Sequence, residues 1–347
     1  MNALRLSLPG IFLAATTLSS LAPPLCLQAQ APTAYKYIRV GKAADSHVTP
    51  RPGFALMGGG SDLDEAFRWL CDRSSGGDFL VLRATLDDDY NNYLQGLCRL
   101  NSVATLVIPS REAAMDPFVA RAIRHASAIF LSGGDQANYI NFWKGTPVQA
   151  ALNDAIRQNV PMGGTSAGLA VLGQWAYSAQ GDKPDEPNLS GETALADPFD
   201  PHVTLVQGFL KIPVLKGFIT DSHFAKRDRM GRLLTFLARL NKADGKAAAA
   251  QPPKIRGIGV EEGVAVLLEL DGYCKVVGNG NAYFLRPSAR AQVLAAGKPL
   301  TFRGVMVRKV AAGHTFNIAF WRGNASRYAL NVEAGAIHST QAGGAVY

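Results

Sequence analysis

Five short apolar runs, separated by helical stretches, constrain what the first half of this 347-residue chain becomes. The runs are 54–57, 78–83, 104–108, 127–131 and 159–162. Helical periodicity fills the gaps at 63–71, 91–100, 113–126, 137–142 and 147–158, with Ser61 or Asp62 placed to cap the first helix. Strand and helix alternating at this spacing form crossover units, and these set the strands in a parallel sheet covered on both faces. The expected class is α/β, a three-layer α/β/α sandwich with a mostly parallel central sheet. Ligands of such sheets lie outside the carboxyl ends of the strands. Glycine turns at 58–60, 133–134 and 163–164 fall at those ends, so three loops are expected at one edge.

The third of these turns carries chemistry. Residues 164–168 read Gly-Thr-Ser-Ala-Gly, a G-x-S-x-G pattern between a strand and the run 169–173, read as a buried helix. In that pattern the serine sits on a tight, strained strand-to-helix bend. Its hydroxyl stands clear of the sheet, and the next amide, that of Ala167, points at any developing oxyanion. A serine hydroxyl needs an adjacent base. Of six histidines, His223 stands out, because it follows Asp221-Ser222 at the end of an apolar run and precedes a helix. An imidazole in turn needs a carboxylate to fix its tautomer. Glu261, Glu262 and Asp221 are the contenders; strand alternation points the two glutamates in opposite directions. Arg227, Arg229 and Arg232 follow the histidine, and forked guanidinium groups suit carboxylates. No histidine or cysteine pair has metal-ligand spacing, and no cofactor motif is present, so neither a metal nor a cofactor is expected.

Composition bounds the rest. The chain is 48% hydrophobic and 18% charged, which gives ample material for a large core. The net charge of +8 is scattered along the sequence, a pattern that disfavours nucleic acid and suits an anionic ligand. Arg5, the apolar stretch 6–25 and Ala29-Gln30-Ala31 read as an export signal over 1–31; prolines at 9, 23 and 24 argue against a retained membrane helix. A secreted or periplasmic protein free of the membrane is expected. Cys26 would leave with the signal, and Cys71 is expected to pair with Cys98 in the oxidising compartment. An extended segment over 32–52 then leads into a single catalytic domain over 53–347. Within it, Asp87-Asp88-Asp89 is read as a solvated loop and 242–253 as an exposed connector. Gly181, Pro184, Pro187, Gly191, Pro198 and Pro201 break any period over 178–208, read as an irregular insertion able to close over the site. Residues 273–347 are β-rich, read as an antiparallel extension and not a separate domain.

Taken together, Ser-Gly-Gly-Asp-Gln at 132–136, Gly-Thr-Ser-Ala-Gly at 164–168, Asp-Ser-His-Phe at 221–224, R-x-R-x-x-R at 227–232 and Gly-Ile-Gly-Val-Glu-Glu at 257–262 resemble the peptidase E and cyanophycinase family of serine peptidases. The resemblance spans roughly 53–320 and implies a flavodoxin-like, class I glutamine-amidotransferase-like fold. It implies Ser166 as nucleophile, His223 as base and Glu262 as orienting acid, with oxyanion amides from Gly134 and Ala167. Gln136, Asp221, Arg227, Arg229 and Arg232 would line the substrate pocket. The implied substrate is cyanophycin, a poly-aspartate bearing arginine on each side chain, cut to β-aspartyl-arginine dipeptides. Where cyanophycinases have glutamine between the aspartate and histidine, this chain has Ser222. The other readings are an aspartyl dipeptidase with a different small acidic peptide, and a non-catalytic binding protein on the same fold. A homodimer is compatible with either.

Overall fold

Each apolar run of the first half folds as a strand, and the glycine and proline signals decide where the intervening helices start. A computed structural model of the chain describes residues 1, 34–85, 90–182, 188–242 and 251–347. The export signal, the run Asp87-Asp88-Asp89, residues 183–187 of the irregular segment and most of the connector at 242–253 lie outside the described residues.

The chain opens with β1 (Lys36–Gly41) and β2 (Phe54–Met57), followed by α1 (Asp64–Arg73) and β3 (Asp78–Arg83). Neither Ser61 nor Asp62 caps α1: the cap is Leu63, whose carbonyl accepts from the amides of Ala66 and Phe67. Next come α2 (Asn91–Leu97), β4 (Ser102–Val107), α3 (Pro117–Arg124) and β5 (Ala128–Leu131). The helix expected over 113–126 is interrupted, with a 3-10 turn at Ala113–Met115 before α3. Pro117 cannot donate into a helix begun upstream, so the helix restarts there. Asp116 caps it, its carboxylate accepting from the Phe118 amide at 2.7 Å.

Then follow α4 (Gln136–Asn138), α5 (Pro147–Arg157), β6 (Met162–Thr165) and α6 (Ala167–Ala170), so the helix expected over 169–173 is a single early turn. The irregular segment holds more order than its prolines predict. β7 (Trp175–Tyr177), α7 (Gly191–Ala196) and β8 (Leu205–Gln207) lie in or beside it. Ser190 caps α7 by accepting from the Thr193 amide at 3.0 Å. The rest comprises β9 (Phe218–Asp221), α8 (Met230–Leu240), β10 (Arg256–Val260), β11 (Val264–Leu268), β12 (Tyr273–Gly278), β13 (Asn281–Pro287), β14 (Phe302–Ala311), β15 (Thr315–Asn317), β16 (Arg322–Gly323), β17 (Ser326–Glu333) and β18 (Ala336–Ser339).

Among the described residues the strands form two sheets. The first runs β1-β4-β3-β5-β6-β2-β11-β12-β15-β16. Its middle, from β4 to β2, is parallel, with Phe54 level with Met162 and Leu80 with Ile129. These strands are buried on both faces, which is why they read as unbroken apolar runs. Leu80, Leu82, Leu106 and Ile129 pack with Val119 and Ile123 of α3 and Leu152 and Ile156 of α5. Phe79, Val81 and Phe130 pack on the other side with Phe67 and Leu70 of α1 and Leu94 of α2. That is the expected α/β/α sandwich.

The second sheet, β18-β17-β14-β13-β10-β9-β7-β8, is what the alternation did not disclose. The β-rich C-terminal part divides between the two sheets. β11, β12, β15 and β16 extend the first antiparallel, while β13, β14, β17 and β18 continue the second beyond β10. α7 and α8 cover the second sheet through Leu195, Leu233 and Leu237 against Leu285, Val305 and Val307.

Cys71, in the last turn of α1, is bridged to Cys98 at the end of α2, with Cα atoms 6.2 Å apart. Cys274 is a buried free thiol that burial pushes up to about 12. The bridge closes a loop of 27 residues. Replacing both bridged cysteines by serine is expected to lower unfolding free energy by about 3 kcal/mol. Urea unfolding of the double variant measures this, and a stability equal to wild type would contradict it.

Candidate active site

The carboxyl ends of β2, β5 and β6 and the loop after β9 converge on Ser166. This residue sits at φ 53°, ψ −114°, a strained conformation for a side chain with a Cβ. It is held from both sides. Its amide donates to the Met57 carbonyl at 3.2 Å, and its carbonyl accepts from the Ala170 amide at 3.0 Å. The two glycines of G-x-S-x-G make the bend possible by close approach. A Cβ on Gly164 would strike the backbone of Gly168, and one on Gly168 would strike the Leu131 carbonyl at the end of β5. The elbow is thus pressed into the neighbouring strand end.

His223 follows β9 at φ 49°, also left-handed, with its amide donating to the Gly58 carbonyl at 2.7 Å. Its Nε2 lies 2.7 Å from the Ser166 Oγ, and its Nδ1 lies 2.6 Å from the Glu262 Oε1. An ionised carboxylate only accepts, so the Nδ1 carries a proton and donates to Glu262. That leaves the Nε2 lone pair facing the Ser166 hydroxyl. Gly59 makes room for the ring, because a Cβ there would overlap the imidazole. A Cβ on Gly60 would lie 3.1 Å from the Glu262 Cβ, a tight contact. The sequence offered these glycines only as a tight turn.

The three candidate carboxylates differ in what else each one binds. Glu261 accepts from the Tyr283 hydroxyl at 2.6 Å and the Asn281 amide at 2.8 Å, which commits it to β13. Asp221 is buried and grips Arg232 with both oxygens, at 2.8 Å to Nε and 2.5 Å to Nη2. Glu262 alone of the three reaches the imidazole.

That ion pair also changes the reading of the arginine cluster. Asp221, Arg229 and Arg232, expected along the pocket, are buried and bonded among themselves. Arg229 donates to the Ser222 carbonyl at 2.9 Å, and burial beside Arg232 pushes its guanidinium down to about 10. They form a platform beneath the loop that carries His223. Arg227 is the exposed member, its side chain 51% accessible and its Nε 4.0 Å from the Glu262 Oε1.

The loop 132–136 flanks the serine. A Cβ on Gly133 would lie 3.5 Å from the Ser166 Cβ. The Tyr139 hydroxyl fixes this loop by donating to the Ser132 carbonyl at 2.7 Å. Gly134 stands at φ 133°, a conformation open to glycine, and half-buried Gln136 begins α4. Ala167 opens α6, so its amide is among those without an intrahelical acceptor. Asp62 and Tyr90 join on the β2 side, the tyrosine hydroxyl donating at 2.6 Å, and burial pushes the Asp62 carboxyl up. No motif in the sequence pointed to that pair.

Burial holds the His223 imidazole below the ordinary histidine value; Glu262 pulls it up, and Arg227 and Arg229 push it down. The hydrogen bond from His223 holds Glu262 below the usual carboxylate range. The free site therefore carries neutral imidazole and charged carboxylate at neutral pH. NMR titration of the His223 ring is expected to give a midpoint below that of an exposed histidine. Glu262→Gln should move it lower still, by removing the stabilising charge, and Arg227→Gln should move it higher. A midpoint that rises in Glu262→Gln would contradict this electrostatic reading.

Comparison with known proteins follows the same residues. The profile of Peptidase family S51 matches residues 88–272. A protein named cyanophycinase from Trichormus variabilis is 29% identical over 221 residues, 62% of this chain and 65% of that one. A cyanophycinase from Thermosynechococcus vestitus is 27% identical over 225 residues, 63% of this chain and 61% of that one. The matched part is thus a little under two thirds of these relatives' length. Among solved structures, a peptidase from an acI-B1 Actinobacterium aligns at TM-score 0.49 and 17% identity, covering 78% of this chain and 98% of that one. A putative peptidase E protein from Listeria monocytogenes aligns at TM-score 0.38 and 13% identity, covering 62% and 94%. With the profile matched over more than half of its length, the chain belongs to peptidase family S51.

Proposed function

We propose that this protein is an exported serine exopeptidase that hydrolyses cyanophycin, releasing β-aspartyl-arginine dipeptides. The observation that carries the reading is the relay from the Ser166 Oγ through His223 to Glu262, at 2.7 and 2.6 Å. The named relatives support the substrate, and the Cys71–Cys98 bridge supports an oxidising compartment.

In this mechanism the Ser166 Oγ attacks the scissile backbone carbonyl carbon while the His223 Nε2 takes the hydroxyl proton. The tetrahedral oxyanion accepts from the amides of Gly134 and Ala167. Glu262 stabilises the imidazolium that forms. As the C–N bond breaks, the Nε2 gives its proton to the leaving amine. Water then attacks the acyl-serine with His223 again as base, and the ester breaks to a carboxylic acid and free serine. Each peptide bond consumes one water. Arg227 then pairs with the substrate arginine's α-carboxylate, a role that its exposure beside Glu262 supports.

The burial of Arg229 and Arg232 favours a second reading, an aspartyl dipeptidase for a smaller acidic peptide, since it leaves one exposed arginine of the three. Product analysis separates the two. Incubation with cyanophycin is expected to release β-aspartyl-arginine, and Ser166→Ala is expected to reduce release by about 10⁴-fold or more. Intact polymer alongside hydrolysis of α-aspartyl dipeptides would move the assignment to the second reading. Release undiminished in Ser166→Ala would overturn both.

A further inference from the structure

The second sheet carries a group of arginines with no role at Ser166. Arg286 lies on β13, Arg308 on β14 and Arg327 on β17. Arg308 stands directly opposite Arg327 across the two strands. Arg286 is level with Met306, two residues along β14 from Arg308, which puts the three on one face. Like charges directly opposite each other across a ladder destabilise a sheet. Here no carboxylate relieves them: among the described residues, none of the three is ion-paired. Glu333, farther along the same face of β17, is taken by Arg303.

Two more observations show that these charges crowd one another. The Arg308 Nη1 is sealed from solvent with no hydrogen-bond acceptor. Burial, Arg327 and Arg286 together hold the Arg308 guanidinium below its ordinary value, and Arg286 acts on Arg256 in the same direction. Arg286 and Arg256 both lie over the Trp321 ring, at 5.2 and 5.5 Å. Arg256 is held by the fold, donating to the Ile318 carbonyl at 2.8 Å and lying over the Phe218 ring, which leaves Arg286, Arg308 and Arg327 as three like charges with no carboxylate among them. An anionic ligand lying on the exposed Arg286 and Arg327 supplies the countercharge that the protein itself lacks here. Three neighbouring strands, each about 4.8 Å from the next, present the charges in a row, so the matching ligand bears several spaced carboxylates.

We propose that the face formed by Arg286, Arg308 and Arg327 is a docking surface for a carboxylate-bearing polymer, distinct from the Ser166 site. β14 lies three strands from β9, the strand that leads to His223, a separation of about 14 Å. The proposal rests on the cyanophycin reading in one respect: each arm of that polymer ends in a free arginine carboxylate. Its role would be to hold an insoluble substrate while chain ends reach Ser166.

The test uses wild type and the triple variant Arg286→Gln/Arg308→Gln/Arg327→Gln. Binding is read by co-sedimentation with insoluble cyanophycin and by fluorescence anisotropy with labelled poly-L-aspartate. Turnover is read on a short soluble β-aspartyl-arginine oligomer. Wild type is expected to bind both polymers, more weakly as salt rises. The triple variant should bind both about tenfold more weakly or worse, with turnover of the short oligomer within about twofold of wild type. Arg327→Gln alone, at an exposed position, should show part of the loss should the triple variant fold poorly. Undiminished binding in the variants, or no binding by wild type, would overturn the proposal. A wild-type dimer that the triple variant dissociates, without polymer binding, would assign the face to a second copy of this chain and overturn it as well. Poly-aspartate binding that needs these arginines, in a protein that leaves cyanophycin uncut, would sink the substrate reading while leaving the docking surface standing.

Discussion

Two residues with side chains, Ser166 and His223, adopt left-handed backbone conformations on opposite sides of one hydrogen bond. Conformations of this kind each cost about 1–3 kcal/mol, and they persist only where the surroundings over-determine them. Here the surroundings are strand ends. Met57 and Gly58, at the end of β2, bond to Ser166 and His223 respectively. One strand terminus thereby sets the spacing between the hydroxyl and the imidazole. Glycine at 59, 164 and 168 removes the side chains that would force these groups apart.

Beneath that contact lies the Asp221–Arg232 pair, with side chains 2% and 1% exposed. A buried ion pair is weak evidence for stability, because desolvation offsets most of the attraction. Its position is more informative than its strength. It ties the last residue of β9 to the first turn of α8, and the loop between those two points bears His223. Arg229 adds a bond to the Ser222 carbonyl within the same loop. Two of the three arginines therefore hold the histidine loop, and Arg227 is the exposed one.

The parallel sheet was legible because strands buried on both faces read as unbroken apolar runs bounded by glycine. That Ser166, His223 and Glu262 would meet was legible for a related reason: each sits where a strand ends. Helix boundaries were less so. Pro117 restarted a helix that periodicity alone ran together, and a backbone carbonyl capped α1 where a side chain was expected. The second sheet was hidden because β7 and β8 have three residues each, too short for a period-2 signal. Burial was the other blind spot. Spacing places Arg229 and Arg232 one turn apart, but it does not say that Asp221 will claim one of them. Nor does sequence order disclose that Arg286, Arg308 and Arg327 meet across three strands, since cross-strand register is set by tertiary structure.

The account stands or falls on whether His223 activates the Ser166 hydroxyl. Reaction with a fluorophosphonate probe, followed by peptide mapping, measures this without assuming any substrate. The account predicts stoichiometric modification at Ser166 that disappears in His223→Ala. A wild-type protein left unmodified at Ser166, or one labelled equally well without the imidazole, would contradict it.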